Sequence, residues 1–258
     1  MKYVNLGCGA RYINEWINID FLSSEENVIS HNLLEGIPLK DNFVDVVYHS
    51  HVLEHFSKNQ GEFFIKECHR VLKKGGLVRI VVPDLEQIAI HYLMNLNTAI
   101  DEDNELNEAK YNWSLLELID QLVREKEGGE ILELWKQEKL INENQIIERV
   151  GEEFSRIRKY LLNTKSSVSN YKKQNNKKFS FFKRKENNDN FSKSGEIHKW
   201  MYDRYSLQKI LVNHGFVNVK IKSAFESEII GWEKFCNLDV ENGKVRKPDS
   251  LFIEAYKW

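Results

Sequence analysis

Tyr3-Val4-Asn5-Leu6-Gly7-Cys8-Gly9, followed by Trp16-Ile17-Asn18-Ile19-Asp20, decides the fold. The first run is a short apolar strand that stops on a G-x-G bend, where the missing side chains let backbone approach a ligand closely. The second alternates apolar and polar residues and ends on an acid, which predicts a strand with a carboxylate at its carboxyl end. Further along, Val28-Ile29-Ser30 is a weaker strand candidate and Val44-Asp45-Val46-Val47-Tyr48 is strongly β-branched. Leu77-Val78-Arg79-Ile80-Val81-Val82 is bounded by Gly75-Gly76 and Pro83. Between these last two runs, Phe63, Phe64, Glu67, Val71 and Leu72 recur at helical spacing, with Gly75-Gly76 read as the helix stop. Near-continuous apolar strands separated by helices predict an α/β fold with a parallel sheet covered on both faces. Only Ala10 to Glu15 separates the first two strands, where a parallel crossover normally takes roughly a dozen residues or more. The first helix is therefore expected to be a stub.

The 258-residue chain is 41% hydrophobic, enough for one sizeable core, alone or with an insertion. Its formal net charge of -2 gives no global basic field and no reason to expect specific nucleic-acid binding. No apolar run reaches the roughly 18 residues of a membrane span, and the start of the chain does not read as a signal peptide. Cys8, Cys68 and Cys236 are odd in number and lack C-x-x-C spacing, so neither a disulfide framework nor a cysteine zinc site is expected; a reducing cytoplasm fits them.

Residues 1–84 read as the cofactor-binding half of the sheet. Over 85–165 the pattern turns helical: Ile146, Val150, Phe154, Ile157 and Leu161 form one apolar stripe, and Leu115, Ile119, Leu122 and Val123 another. Residues 166–195 are rich in Asn, Lys and Ser and read as a mobile basic loop. In it, Lys177 to Lys185 mixes cations with Phe179, Phe181 and Phe182, a composition that suits weak contact with an anionic membrane surface. Residues 196–258 complete the sheet: a helix from Tyr202 to Asn213 stopped by Gly215, then strands at Val217–Ile221 and Leu251–Tyr256 closing as an antiparallel hairpin.

Three features fall at strand ends in order. Gly7 and Gly9 form the bend, Asp20 can accept two hydrogen bonds from a ribose diol, and His31-Asn32-Leu33 follows the third strand, where Asn32 can meet an adenine amino group and Leu33 can cover the ring. With Pro38-Leu39, Phe43 to Tyr48, His51-Val52-Leu53-Glu54-His55 and Arg70 to Leu77, this set resembles the class I S-adenosylmethionine-dependent methyltransferases, of the methyltransferase type 11 group. The resemblance covers residues 1–84 well and 200–258 loosely. It implies a doubly wound, mostly parallel, seven-stranded Rossmann-like sheet with a helical insertion after the fifth strand. It also implies S-adenosyl-L-methionine as cofactor, with Asn5, Gly7, Gly9, Asp20, Asn32, Leu33 and Ser50 in its site, and Ser50 or His51 near the sulfonium. Asn5 stands where the family usually has an acid, Arg11 where a third glycine is common, and Asn32 where Asp is frequent.

If the acceptor is a hydroxyl, a neutral histidine can take its proton; His51 is the first candidate and His198 the second. In His198-Lys199-Trp200-Met201-Tyr202-Asp203, Trp200 can stack on a sugar face while Met201 packs. Sequences of this resemblance associate with cell-surface polysaccharide biosynthesis, which implies a glycan or lipid-linked sugar as acceptor. Two other readings stand beside this one. H-x-x-E-H over residues 51–55 is also the signature of inverted zinc metalloproteases, with His51 and His55 on one helical face and Glu54 as base. The changes at Asn5 and Arg11 leave room for a non-catalytic cofactor-binding domain.

Overall fold

The computed structural model describes residues 1–166 and 197–258. The expected basic loop, with Lys177 to Lys185, lies outside the described residues. Contacts divide the chain into two compact units, Met1–Ile90 with His198–Trp258, and His91–Ile197. Among the described residues no helix is long and apolar enough to cross a membrane.

The strands are β1 (Tyr3–Leu6), β2 (Ile17–Asp20), β3 (Val28–Ser30), β4 (Val44–Ser50), β5 (Leu72–Pro83), β6 (Phe216–Lys222), the short β7 (Val240–Glu241) and β8 (Lys244–Val245), and β9 (Ser250–Lys257). The helices are α1 (Lys58–Val71), α2 (Leu85–Asp101), α3 (Glu105–Val123), α4 (Gly129–Trp135), α5 (Glu143–Val150), α6 (Glu152–Ser166), α7 (Arg204–Asn213) and α8 (Trp232–Phe235). One seven-stranded sheet runs β3-β2-β1-β4-β5-β9-β6. β1 to β5 pair in parallel, and β9 enters antiparallel between β5 and β6. This is the doubly wound, mostly parallel sheet expected, closed by the expected hairpin, with helices α2 to α6 following the fifth strand.

The sheet buries different partners on its two faces. Val4, Leu6, Val47, Val78, Ile80, Val82, Ile253 and Ala255 form one core with residues of α1 and α7. α1 starts with a reciprocal capping box between Ser57 and Gln60, which satisfies two backbone N–H groups of its first turn. The opposite face carries Val46, Tyr48, Leu77, Val81 and Phe252. It is covered by Trp16 and by Ala224, Ile229, Trp232 and Leu238 from the segment between β6 and β9. No helix at all separates β1 from β2; two buried amides hold the link instead. Asn5 Nδ2 donates to Arg11 O at 3.0 Å, and Asn18 Nδ2 donates to Ile13 O and Trp16 O, each at 2.9 Å.

Three expectations are corrected. The chain leaves α1 at Val71 and enters β5 at Leu72, so Gly75-Gly76 lies inside the strand and does not stop the helix. A Cβ on Gly76 would stand 2.8 Å from Lys73 O and 3.0 Å from Asp45 O, and this close backbone approach is what requires the glycine. The stripe Ile146, Val150, Phe154, Ile157, Leu161 packs in one apolar cluster as expected, but it is carried by two helices, α5 and α6, broken at Gly151, whose φ of 79° ends α5. Along α3 the stripe Ile119, Leu122, Val123 is exposed, with Val123 at 67%. The buried side carries Trp113 and Asp120 instead, because Trp113 packs against Trp135 while Asp120 accepts from Glu130 N and binds Arg124.

His49, on β4, is wholly buried and edge-on to Phe64, and neither ring nitrogen has a hydrogen-bond partner. Burial drives its pKa down from 6.5 to about 3. The unfolded chain therefore takes a proton that the folded chain refuses. The stability held by a neutral His49 is complete above about pH 6.5 and declines as the pH falls toward 3. His49→Phe removes this dependence and two desolvated nitrogens, each costing roughly 1–3 kcal/mol. The urea midpoint of the variant is expected to exceed that of the parent by more at pH 5 than at pH 8. A constant difference across that range would refute the assignment.

Candidate active site

The carboxyl ends of β1, β2, β3 and β4 converge along one edge, the position at which open α/β sheets hold ligands. Backbone bonds stitch this edge: Gly7 N donates to Ile19 O at 2.7 Å, His31 N to Asp20 O at 2.8 Å, and His51 N to Val81 O at 2.9 Å. Gly7 and Gly9 both have positive φ, 65° and 54°. They differ in what surrounds them. A Cβ on Gly7 would fall 2.3 Å from Val52 Cγ2, whereas nothing lies within 4 Å of a Cβ on Gly9. Gly7 is thus demanded by packing, and Gly9 turns a bare backbone toward open space.

Asp20 closes the same bend, its Oδ2 accepting from Gly9 N at 2.7 Å. The other oxygen, Oδ1, has no partner among the described residues. Asn32 caps the short turn Leu33–Glu35: its Oδ1 accepts from Leu34 N at 3.1 Å and its Nδ2 donates to Glu35 Oε1 at 3.2 Å. Most of its hydrogen-bonding capacity therefore goes to the turn, and Leu33 beside it is buried. Ser50 Oγ accepts from Arg246 Nη2 at 3.4 Å. Cys8 lies between the glycines as an inert thiol, raised to about 12 by burial first and then by Asp20.

Two of the three departures from the family pattern, Asn5 and Arg11, acquire physical reasons. Asn5 donates to the carbonyl of Arg11, which a carboxylate cannot do. Arg11 reaches across to Glu241 of β7 at 2.5 Å, tying the bend to the segment that covers the sheet.

His51 follows β4 with φ of 56°, an uncommon conformation for a residue with a side chain and one that concentrates at functional sites. Its Nε2 lies 2.9 Å from Ser250 Oγ and its Nδ1 lies 3.1 Å from Glu54 Oε1. Burial holds the imidazole well below its usual pKa, with Lys247 and Arg246 adding to the effect, and pushes the Glu54 carboxyl up to about 8. Leu53–His55 is a single short 3-10 turn, so His51 and His55 do not share a helical face as the zinc-protease reading requires. The structure instead brings Glu54 and His55 together with His198, their ligand atoms all within 4.8 Å of one another. Trp200, two residues on, is 41% exposed, with Lys58 Nζ 5.6 Å from its ring centre.

Ser250 and Arg246 were not legible as site residues. Each is remote in sequence from His51 and Ser50, and no local motif marks either one.

Residues 22–80 match the family model described as a methyltransferase domain. No curated protein matches the chain. Among solved structures, an S-adenosylmethionine-dependent methyltransferase of Thermotoga maritima aligns with 100% of this chain and 82% of its own, at 13% identity and a TM-score of 0.42. One of Archaeoglobus fulgidus aligns with 99% and 86%, at 16% identity and a TM-score of 0.40. One of Mesorhizobium loti aligns with 99% and 90%, at 10% identity and a TM-score of 0.38. At these TM-scores the likenesses carry no weight beside the strand order itself.

Proposed function

We infer, from a chain whose residues 22–80 match the model of a methyltransferase domain, that this protein is an S-adenosylmethionine-dependent methyltransferase acting on an acceptor hydroxyl. The observation that carries the reading is the closed bend at the sheet edge, where Asp20 Oδ2 holds Gly9 N and leaves Oδ1 for a ligand. The residues present fit the cofactor. Gly9 would offer side-chain-free backbone to the methionine part, Asp20 Oδ1 would accept from the ribose hydroxyls, and Leu33 would flank the adenine, with Asn32 shaping the turn beside it. Gly7 and Asn5 hold the bend in shape, and Ser50 forms the wall at the end of β4.

S-adenosylmethionine supplies an electrophilic methyl group on a sulfonium. The protein's tasks are to hold the acceptor in line and to remove its proton. His51 is the residue for the proton. Glu54 orients the ring at Nδ1, and the proton reaches Nε2 through the half-buried Ser250 hydroxyl. Exposed Trp200 offers a flat apolar face of the kind that stacks on sugars, which favours a glycan or lipid-linked sugar acceptor, and the free thiols of Cys8, Cys68 and Cys236 fit a reducing, cytoplasmic setting. His198, the second candidate for the proton, stands in the cluster with Glu54 and His55.

Calorimetry with the demethylated cofactor product tests the site. Two charge-assisted hydrogen bonds at about 1.5–3 kcal/mol each make Asp20→Ala weaken binding by more than about 100-fold. Asp20→Asn keeps an acceptor for Gly9 N and preserves the fold. Unchanged affinity in Asp20→Ala would refute the cofactor assignment. Transfer of a labelled methyl group into polysaccharide or lipid-extractable saccharide, and not into protein, is the result expected for the acceptor class; label confined to protein would overturn it.

A further inference from the structure

We propose that Glu54, His55 and His198 form a binding site for one divalent transition ion of the zinc class. One carboxylate oxygen and two imidazole nitrogens lie within 4.8 Å of one another. A small rotation of the side chains draws such a set to zinc distances of about 2.0–2.2 Å. Two imidazoles and a carboxylate suit zinc, and three protein ligands leave a fourth position open for water or another oxygen donor.

A second, independent observation points to a ligand. Glu54 is 0% exposed; its Oε1 lies 3.1 Å from His51 Nδ1, and its Oε2 has no hydrogen-bond partner. A wholly buried carboxylate with one oxygen left unbonded is costly unless something else meets that oxygen, and an ion is a group that can do so.

The backbone builds the site from segments far apart in sequence. The Glu54 carbonyl accepts from Lys199 N at 2.7 Å and from Trp200 N at 3.2 Å. These two bonds dock the extended segment carrying His198 onto the short turn carrying Glu54 and His55. The His55 and His198 rings then meet edge to face, with centroids 5.1 Å apart. His198 is buried, while His55 is half-buried and gives an ion its way in. His51 stands behind Glu54 as an outer-shell partner that fixes the carboxylate's orientation, an arrangement common around metal-bound groups. This site differs from the H-x-x-E-H arrangement, because its second histidine comes from His198 and not from His51.

Metal binding at this site can be read without measuring methyl transfer. The full chain, free of any affinity tag and stripped with chelator, is titrated with Zn2+ by calorimetry and with Co2+ by visible absorbance. The expected result is one equivalent bound, a tetrahedral cobalt spectrum, and a rise in melting temperature with zinc. His55→Ala, at a half-buried position that leaves the core intact, is expected to weaken Zn2+ binding by more than the roughly 10- to 100-fold that outer-shell changes cost. Glu54→Gln is expected to do the same, whereas the remote His31→Ala leaves affinity unchanged. Binding that survives in a His55→Ala/His198→Ala double variant, or no stoichiometric binding by the parent, would overturn the proposal. Product binding measured on the same samples shows separately whether the methyltransferase reading holds.

Discussion

Arg79→Met is expected to cost about 3–5 kcal/mol of stability, the penalty for removing one partner from a buried charge cluster. Arg79 lies on β5 with 0% exposure, in the middle of an otherwise apolar strand. Its guanidinium donates to Asp239 Oδ2 at 2.9 Å, Glu254 Oε1 at 2.8 Å, Glu226 O at 2.9 Å and Ser223 O at 2.9 Å. Its central carbon lies over the Trp232 ring, 4.4 Å from the ring centre. The carboxylates are held in turn: Asp239 accepts from Tyr48 OH at 2.6 Å, and Glu254 accepts from Ser227 and from Glu228 N. Burial raises the Asp239 carboxyl's pKa against the opposing pull of Arg79. Methionine fills the space but leaves two buried acids without their cation. Adding Asp239→Asn and Glu254→Gln is therefore expected to restore part of the loss. Urea unfolding followed by tryptophan fluorescence measures both effects. A loss under about 1 kcal/mol in the single variant would show that the cluster does not hold the covering segment to the sheet.

His51→Asn is expected to lower the methyl-transfer turnover number by about 100- to 10,000-fold, the range supplied by a positioned proton acceptor. Asparagine tolerates the left-handed backbone that His51 adopts, so the turn between β4 and α1 survives the change. Affinity for the demethylated cofactor product is expected to stay within about twofold, because the residue acts on the acceptor and not on the nucleoside. The split between turnover and binding is the readout, taken by labelled-methyl transfer and calorimetry on the same preparation. A turnover number within about threefold of the parent would assign His51 to structure alone. Ser250→Ala separates a relay from direct contact: a loss close to that of His51→Asn places the serine hydroxyl on the proton's path.

The amino-acid sequence determined the elements whose signal is local. β-branched Val44 to Tyr48 and the Gly215-Phe216 break before β6 dictate their strands through side-chain periodicity, and Gly7, Gly9 and Asp20 declare themselves by backbone freedom and by position at strand ends. Where a residue's role depends on a distant neighbour, local pattern misleads. Gly75-Gly76 has the composition of a helix stop, yet its conformation answers to the Asp45 carbonyl across the sheet. The apolar spacing of Ile119, Leu122 and Val123 resembles a core face, but Trp113 and Asp120 have partners on α4 and win the inside.

Other roles came from long-range packing. Asn5 and Arg11 look like weakened family positions until the Arg11 carbonyl and Glu241 are beside them. Arg79 reads as an interruption in a strand until Asp239 and Glu254 arrive from far along the chain. Ser250 meets His51, and His198 meets Glu54 and His55, by the same long-range closure. The physical reason is common to all of them. Chain periodicity encodes which face a side chain shows, whereas hydrogen bonds and charge pairs need a partner at a set distance, and that partner is supplied only when the sheet brings separate segments together.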